Sequence, residues 1–300
     1  MTVELEEIRK SRIYTVKSSI KNVLDDLQKI AELDSFAEIQ QKRYGKIALF
    51  CFLGIVALFV ILFVISLLLT NTELLGVILL LSILIAFFLI IYGIYTLFMY
   101  FKFQRLNLQN YRYDLTKKVI QMLYRDIKED ALIDLGLSFK SLDKVENKTG
   151  TIDHPYKAGW KIDSYTQSWL TIKGQFIDKT YFELSLTEIL KKQYGWKRGS
   201  SGKSKYKSKS KSGGLDISIS LTYPKKRYGA IKLLQQEVNH AIKLPISSSL
   251  RRLRITDEAI YITARVAPQF VNAQDKVYQT ITAMFLSSYQ VLNLAKMLTK

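Results

Sequence analysis

The sequence predicts an α+β protein that carries a two-helix transmembrane hairpin. Two long uncharged apolar runs, residues 47–69 and 74–101, lie close together in the first third of the chain. From about residue 150 the apolar residues alternate with polar ones, which is typical of half-buried strands. Two later segments return to helical spacing, so strands and helices are expected to share one C-terminal domain.

Residues 1–46 predict a cytoplasmic amphipathic helix. Its apolar residues recur at steps of three and four, the spacing of a heptad seam. The seam residues are Ile13, Val16, Ile20, Val23, Leu27 and Ile30. Because the seam is shorter than the roughly three heptads that indicate a coiled coil, two interpretations remain. The seam packs within the chain, or it joins copies of the chain into a homo-oligomer.

The two apolar runs predict membrane spans. The first run has 23 residues, and as a helix it is roughly 35 Å long, enough to cross a hydrocarbon core of ~30 Å. The second run has 28 residues. Only residues 70–73 separate the two runs, so the spans are expected to be antiparallel. The runs contain no proline or charged residue, which favours an anchor over a transport pathway.

The basic residues around the hairpin predict its orientation. Lys42, Arg43 and Lys46 precede the first run, basic residues follow the second, and residues 70–73 contain neither Lys nor Arg. Because cytoplasmic flanks of membrane spans carry the excess of Lys and Arg, both termini are expected in the cytoplasm, with the hairpin in the cell (inner) membrane.

The remainder of the chain predicts a stalk helix at residues 102–136 and a basic α+β domain at residues 137–300. About four strands are expected, at residues 168–176, 180–187, 216–223 and 254–266. Two amphipathic helices are expected at residues 227–244 and 275–298. The order is strand, strand, strand, helix, strand, helix, with the last helix supplying much of the core.

The positive charge is concentrated in this C-terminal part. The chain has a formal net charge of +18, and residues 102–300 hold 35 basic against 17 acidic side chains. Residues 197–214 are a Lys/Ser/Gly segment with too little apolar surface to fold alone, so a flexible loop is predicted. The predicted anion-binding residues are Lys191, Lys192, Lys197, Arg198, Lys203, Lys205, Lys207, Lys209 and Lys211.

Three interpretations of this basic segment remain open. It is a solvated loop without a partner, it binds anionic lipid headgroups, or it binds an acidic protein. Each Lys near an anionic membrane contributes about 1 kcal/mol of binding, and the segment is already tethered close to a membrane. Nucleic acid is the weaker option, because the segment offers only Tyr206, with Tyr194 and Trp196 beside it, for base stacking.

No catalytic, metal or cofactor site is predicted. Residues 199–204 resemble the end of a phosphate-binding loop, but position 197 is Lys where that loop needs Gly, and no helical pattern follows. The chain has two histidines, His154 and His240, and its one cysteine, Cys51, lies in the first apolar run, so a metal-ligand set is not expected.

These patterns favour a non-enzymatic membrane protein that anchors a cytoplasmic interaction domain. The alternative is a homo-oligomeric scaffold or channel assembled through the N-terminal helix, and a membrane-tethered enzyme is the third hypothesis.

Overall fold

The computed structural model describes residues 8, 11–68, 72–228, 231, 234 and 242–298. Helices take 51% and strands 32% of the described residues, in agreement with an α+β class. The chain divides into two compact units. The helical unit is Lys29–Leu108, and the sheet unit combines Met1–Gln28 with Gln109–Lys300. The sheet unit is therefore built from both sides of the apolar hairpin.

The order of the elements is mixed along the chain. The helices in the described residues are α1 (Ile20–Leu68), α2 (Thr72–Leu106), α3 (Asn110–Leu123), α4 (Lys225–Tyr228) and α5 (Gln274–Leu298). The strands are β1 (Ile13–Ser19), β2 (Leu132–Ser138), β3 (Lys148–Asp153), β4 (Lys161–Gln175), β5 (Tyr181–Arg198), β6 (Ser204–Thr222), β7 (Ser248–Ile255) and β8 (Ala259–Val266). They form one antiparallel sheet in the order β1-β2-β4-β5-β6-β8-β7, and β3 pairs with β4.

The helical unit consists of α1 from Lys29 onward and of α2. Each helix has an 18-residue window long and apolar enough to cross a membrane, and only 6% of each window is buried. Such exposure is unlike the core helix of a soluble domain. A Cβ added at Gly93 would lie 3.5 Å from the Cβ of Cys51, and the rings of Tyr44 and Phe103 stack at 5.7 Å. Small and aromatic residues thus join the two antiparallel helices.

The N-terminal prediction is wrong in its first part. The amphipathic helix predicted for residues 1–46 is interrupted, because Ile13–Ser19 is strand β1, paired with β2 from Ile13↔Ser138 to Ser19↔Leu132, and α1 begins at Ile20. Ile13 and Val16 therefore belong to a sheet rather than to a helical seam. Main-chain pairing with a strand more than a hundred residues away outweighs the local three-and-four spacing.

The predicted stalk and strand count are also corrected. The stalk helix at residues 102–136 is divided, since α2 ends at Leu106, α3 covers Asn110–Leu123 and β2 follows. The described residues contain eight strands where about four were predicted. The predicted strand at residues 254–266 is the end of β7 and all of β8. Most of the helix predicted at residues 227–244 lies outside the described residues. The final helix agrees with α5.

The core of the sheet unit lies between one face of the sheet and the helices. Alternate residues of the central strands are fully buried, such as Leu184 and Leu186 on β5 and Ile217 on β6. The rings of Phe176 and Phe182 meet Phe285 of α5 at 6.3 Å. The opposite face of the central strands carries mainly Ser, Thr and charged residues, so the two faces differ in chemistry.

The side chain of Arg112 is charged and buried in this core. Arg112 of α3 is only 2% exposed. It donates hydrogen bonds to the carbonyl oxygens of Ser138 and Lys140 at 2.6 and 3.2 Å, and to Glu188 of β5 at 3.3 Å. Its guanidinium lies 5.3 Å from the centre of the Trp169 ring. Burial lowers the pKa of Arg112, and the Glu188 carboxylate opposes that shift. These bonds fix α3 against β2 and β5.

Candidate functional site

The basic segment forms the outer half of a long β-hairpin rather than a loop. The predicted loop at residues 197–214 is wrong, because Lys197 pairs with Lys205 and Arg198 pairs with Ser204. The turn at residues 199–203 is closed by a hydrogen bond from the Gly199 amide to the Lys203 carbonyl at 2.9 Å. The outer part of β6 is polar and has no apolar alternation, so its sequence does not predict a strand. It forms a strand because its main chain pairs with β5.

The hairpin extends past its neighbours in the sheet. Pairing of β5 with β4 begins at Lys161↔Tyr194, and pairing of β6 with β8 begins at Leu215↔Val266. Residues 195–198 therefore have β6 as their strand partner within the described chain, and residues 204–214 have β5. The basic segment thus projects from the sheet, and residues 196–211 are exposed.

The strand register sorts the predicted anion-binding residues between these faces. Side chains two residues apart on a strand share a face, and paired residues of neighbouring strands do as well. Six lysines consequently lie on one face, called the lysine face: Lys191, Lys197, Lys205, Lys207, Lys209 and Lys211. Lys192 and Arg198 lie on the opposite face, and Lys203 lies in the turn. The structure therefore brings together six of the nine predicted residues.

The charge of the lysine face is not neutralised by the described part of the chain. None of the six lysines forms an ion pair there. The neighbouring carboxylates are already engaged, because Glu188 pairs with Arg112 and Asp216 accepts two hydrogen bonds from Arg265. The lysines of β6 from Lys205 to Lys211 are exposed. The positive charge of six unpaired lysines is therefore concentrated on one face of the hairpin.

The opposite face of the hairpin is aromatic near its tip. Trp196 is 66% exposed and Tyr206 is 56% exposed. Their rings meet at 5.7 Å, and the ring of Tyr194 lies 6.2 Å from that of Tyr206. Exposed Trp and Tyr side chains with basic neighbours are typical of surfaces that contact a membrane interface.

Trp160 is a component of the site that the sequence did not indicate. A Cβ at Gly195 would lie 2.6 Å from the Trp160 ring, so glycine allows this ring to pack against β5 on the lysine face. The Trp160 Nε1 donates a hydrogen bond to the Trp196 carbonyl at 3.1 Å, and the Lys157 ammonium lies 4.5 Å from the ring centre. The pairing register of β4 and β5 brings Trp160 to the hairpin. The spacing of residues in the sequence does not predict this contact.

A buried carboxylate holds the base of the hairpin. Asp163 of β4 is 6% exposed. It accepts hydrogen bonds from the hydroxyls of Thr151 and Tyr194 at 2.6 and 3.2 Å and pairs with the Lys148 ammonium at 2.9 Å. Burial alone would raise the pKa of Asp163, but the hydrogen bonds from these partners hold it below its ordinary value. Asp163 thereby links β3, β4 and the hairpin.

Acid is expected to loosen this link. Because the pKa of Asp163 is lower in the folded chain than in the unfolded chain, ionised Asp163 stabilises the fold above about pH 4 and that contribution is lost as the pH falls further. We expect Asp163→Asn to lower the stability at pH 7 and to weaken its decline between about pH 5 and 2. Urea unfolding at a series of pH values measures both effects. An unchanged slope in Asp163→Asn would contradict this role, and Asp143→Asn, at an exposed position, is the matched control.

The remaining sequence candidates have structural roles or lie outside the described residues. The turn at residues 199–203 leads into a strand and not into a helix, unlike a phosphate-binding loop. His154 accepts a hydrogen bond from the Tyr156 amide at 3.1 Å in a turn. His240 lies outside the described residues. Among the residues that the structure describes, no group of His, Cys, Asp and Glu is arranged to hold a metal ion.

The helical part of the predicted seam is buried within the chain. Ile20, Val23, Leu27 and Ile30 are each at most 1% exposed. This burial agrees with packing inside the chain, the first of the two interpretations of the seam.

Comparison with protein-family models, with curated proteins and with solved structures finds no match for this chain.

Proposed function

We propose that the chain is a two-span membrane protein whose sheet unit binds anionic lipid headgroups through the lysine face. The observation that carries the proposal is the gathering of six unpaired lysines on one face of a projecting hairpin, in a chain with two helices long and apolar enough to cross a membrane. The role is one of binding and not of catalysis.

The connection between the two units supports the membrane topology. Strands β1 and β2 are paired, yet they precede and follow the apolar helices along the chain. Two spans return the chain to its starting side, so the pairing of β1 with β2 is compatible with an even number of crossings. The distribution of Lys and Arg favours the cytoplasm for that side, with the hairpin in the cell (inner) membrane.

The lipid assignment rests on charge and on Trp160. Each lysine near an anionic membrane surface contributes about 1 kcal/mol, an attraction that salt screens. Six lysines on one face can reach such a surface together, and Trp160, whose ring packs on the same face, suits its interfacial layer. An acidic protein satisfies the charge equally well, but the two helices long and apolar enough to cross a membrane favour a lipid surface.

The experiment is lysine labelling of the full chain in nanodiscs. The chain is reconstituted in neutral phosphatidylcholine discs and in discs with phosphatidylserine, and its lysines are modified by reductive methylation and identified by mass spectrometry. We expect the six lysines of the lysine face to react several-fold more slowly in the anionic discs. The difference is expected to disappear in about 0.5 M salt, where exposed charges are strongly screened.

Lysines elsewhere on the sheet unit provide the control in the same molecule. Lys128, Lys144 and Lys276 are exposed and lie outside the hairpin, so their labelling is expected to be equal in both kinds of disc. Equal labelling of the lysine face in both discs would rule out lipid docking and direct the search to an acidic protein.

A further inference from the structure

A second cationic site lies on the face of the sheet opposite the helices. A cavity of about 330 Å³ crosses strands β5, β6, β8 and β7. The side chains around it are Glu183, Ser185, Ser218, Ser220, Arg252, Arg254, Tyr261 and Thr263. These residues alternate with the buried core residues of the same strands, so the cavity opens on the polar face.

The strand register arranges these side chains in two rows. In one row Arg252 neighbours Thr263, which neighbours Ser218. In the other row Arg254 neighbours Tyr261, and Tyr261 neighbours Ser220. Directly paired residues of antiparallel strands lie about 5 Å apart, and Arg252 and Arg254 are about 7 Å apart along β7. Two guanidinium groups can therefore approach one anion above a floor of hydroxyl groups.

The cavity has an excess of positive charge. Arg252 and Arg254 are exposed and form no ion pair with a residue that the structure describes. Glu183, the carboxylate among the lining residues, is held by the Lys173 ammonium at 3.1 Å. The positive charge of the two arginines is thus left without a counter-ion from the described chain.

The hydroxyl groups add unused hydrogen-bond donors. Ser218 and Thr263 bond to each other at 3.1 Å, so one of the two hydroxyls keeps its donor. Within the described residues Ser185 and Ser220 make no side-chain hydrogen bond. Guanidinium groups recognise phosphate with paired N–H donors, and hydroxyls complete such a shell. We propose that this cavity binds a phosphate group, carried by a soluble phosphate ester or by a lipid headgroup.

A neighbouring arginine, Arg251, distinguishes a specific phosphate site from the general positive charge of an exposed edge strand. Basic residues on an edge strand such as β7 also discourage strand pairing between molecules, and any position along the strand serves that purpose. Arg251 lies where the pairing of β7 with β8 shifts register, between Leu250 and Arg252, and it does not line the cavity. A phosphate site requires Arg252 and Arg254 and not Arg251.

The test is calorimetric titration of the full chain, in neutral detergent, with inorganic phosphate at constant ionic strength. We expect saturable binding. Arg252→Gln and Arg254→Gln are each expected to weaken it by about tenfold or more, since each removes a charge-assisted contact. Arg251→Gln is expected to bind like the original chain. Ser220→Ala keeps the charge and is expected to weaken binding by a smaller factor, and thermal unfolding shows whether each variant is folded.

Two results would overturn the proposal: no saturable binding by the original chain, or an equal loss in Arg251→Gln. Tighter binding of glycerol 3-phosphate than of inorganic phosphate would identify a soluble ester as the ligand. A gain found only with monomeric dihexanoyl phosphatidic acid would identify a headgroup. A chain with Lys205, Lys207, Lys209 and Lys211 changed to Ser is expected to retain phosphate binding, which keeps this site separate from the lysine face.

Discussion

Replacing Arg112 with methionine is expected to lower the free energy of unfolding of the sheet unit by about 3–5 kcal/mol. Arg112 is 2% exposed, so its loss leaves two part-buried carbonyl oxygens, those of Ser138 and Lys140, without this donor. It also leaves the Glu188 carboxylate without its cation. Methionine fills much of the same space but replaces none of these bonds.

Trp169 offers a direct measurement of this loss. It is buried against Arg112, and in a Trp160→Phe and Trp196→Phe background it is the remaining tryptophan of the chain. Its emission during urea unfolding in detergent gives the stability of each variant. Arg125→Met is the matched control, because Arg125 is exposed and its change is expected to cost less than about 0.5 kcal/mol. Equal losses in the two variants would contradict the role given to Arg112.

Replacing Leu27 with alanine is expected to destabilise the sheet unit by about 2–5 kcal/mol and to leave the oligomeric state unchanged. Leu27 is 1% exposed in the first turns of α1, so the substitution opens a cavity within one chain. Light scattering coupled to size-exclusion chromatography gives the oligomeric state, and urea unfolding gives the stability.

Lys21→Ala is the matched control for Leu27→Ala, since Lys21 is exposed in the same helix. It is expected to change neither quantity. A smaller oligomer in Leu27→Ala without a loss of stability would favour the alternative in which the seam joins copies of the chain.

The sequence predicted the helices and strands that show an apolar pattern within their own segment of the chain. The two apolar helices, the final helix and the inner halves of β4, β5 and β6 follow from runs or alternation of apolar residues. Strand β1 was missed because its partner β2 is more than a hundred residues away. The spacing of Ile13 and Val16 also fits a helix.

The sequence predicted which residue types the candidate sites contain but not how these residues are arranged. The basic residues near residue 200 were visible in the sequence, but their division into a lysine face and an aromatic face depends on pairing with β5. The same holds for Trp160, which reaches the hairpin through β4, and for Arg252 and Arg254, whose neighbours are set by the register of β7 on β8. Polar strands carry no apolar alternation, so pairing partners cannot be read from them.

The pairing of β1 with β2 has a consequence for biosynthesis. At about 5–20 residues per second, a ribosome needs on the order of ten seconds to pass from the end of β1 to the end of β2. Both apolar helices are made in that interval. Strand β1 must therefore remain unpaired, and protected from aggregation, until the apolar helices have left the ribosome. Pairing of β1 thus depends on synthesis of both apolar helices, and a chain arrested before β2 would display an open strand edge to quality control.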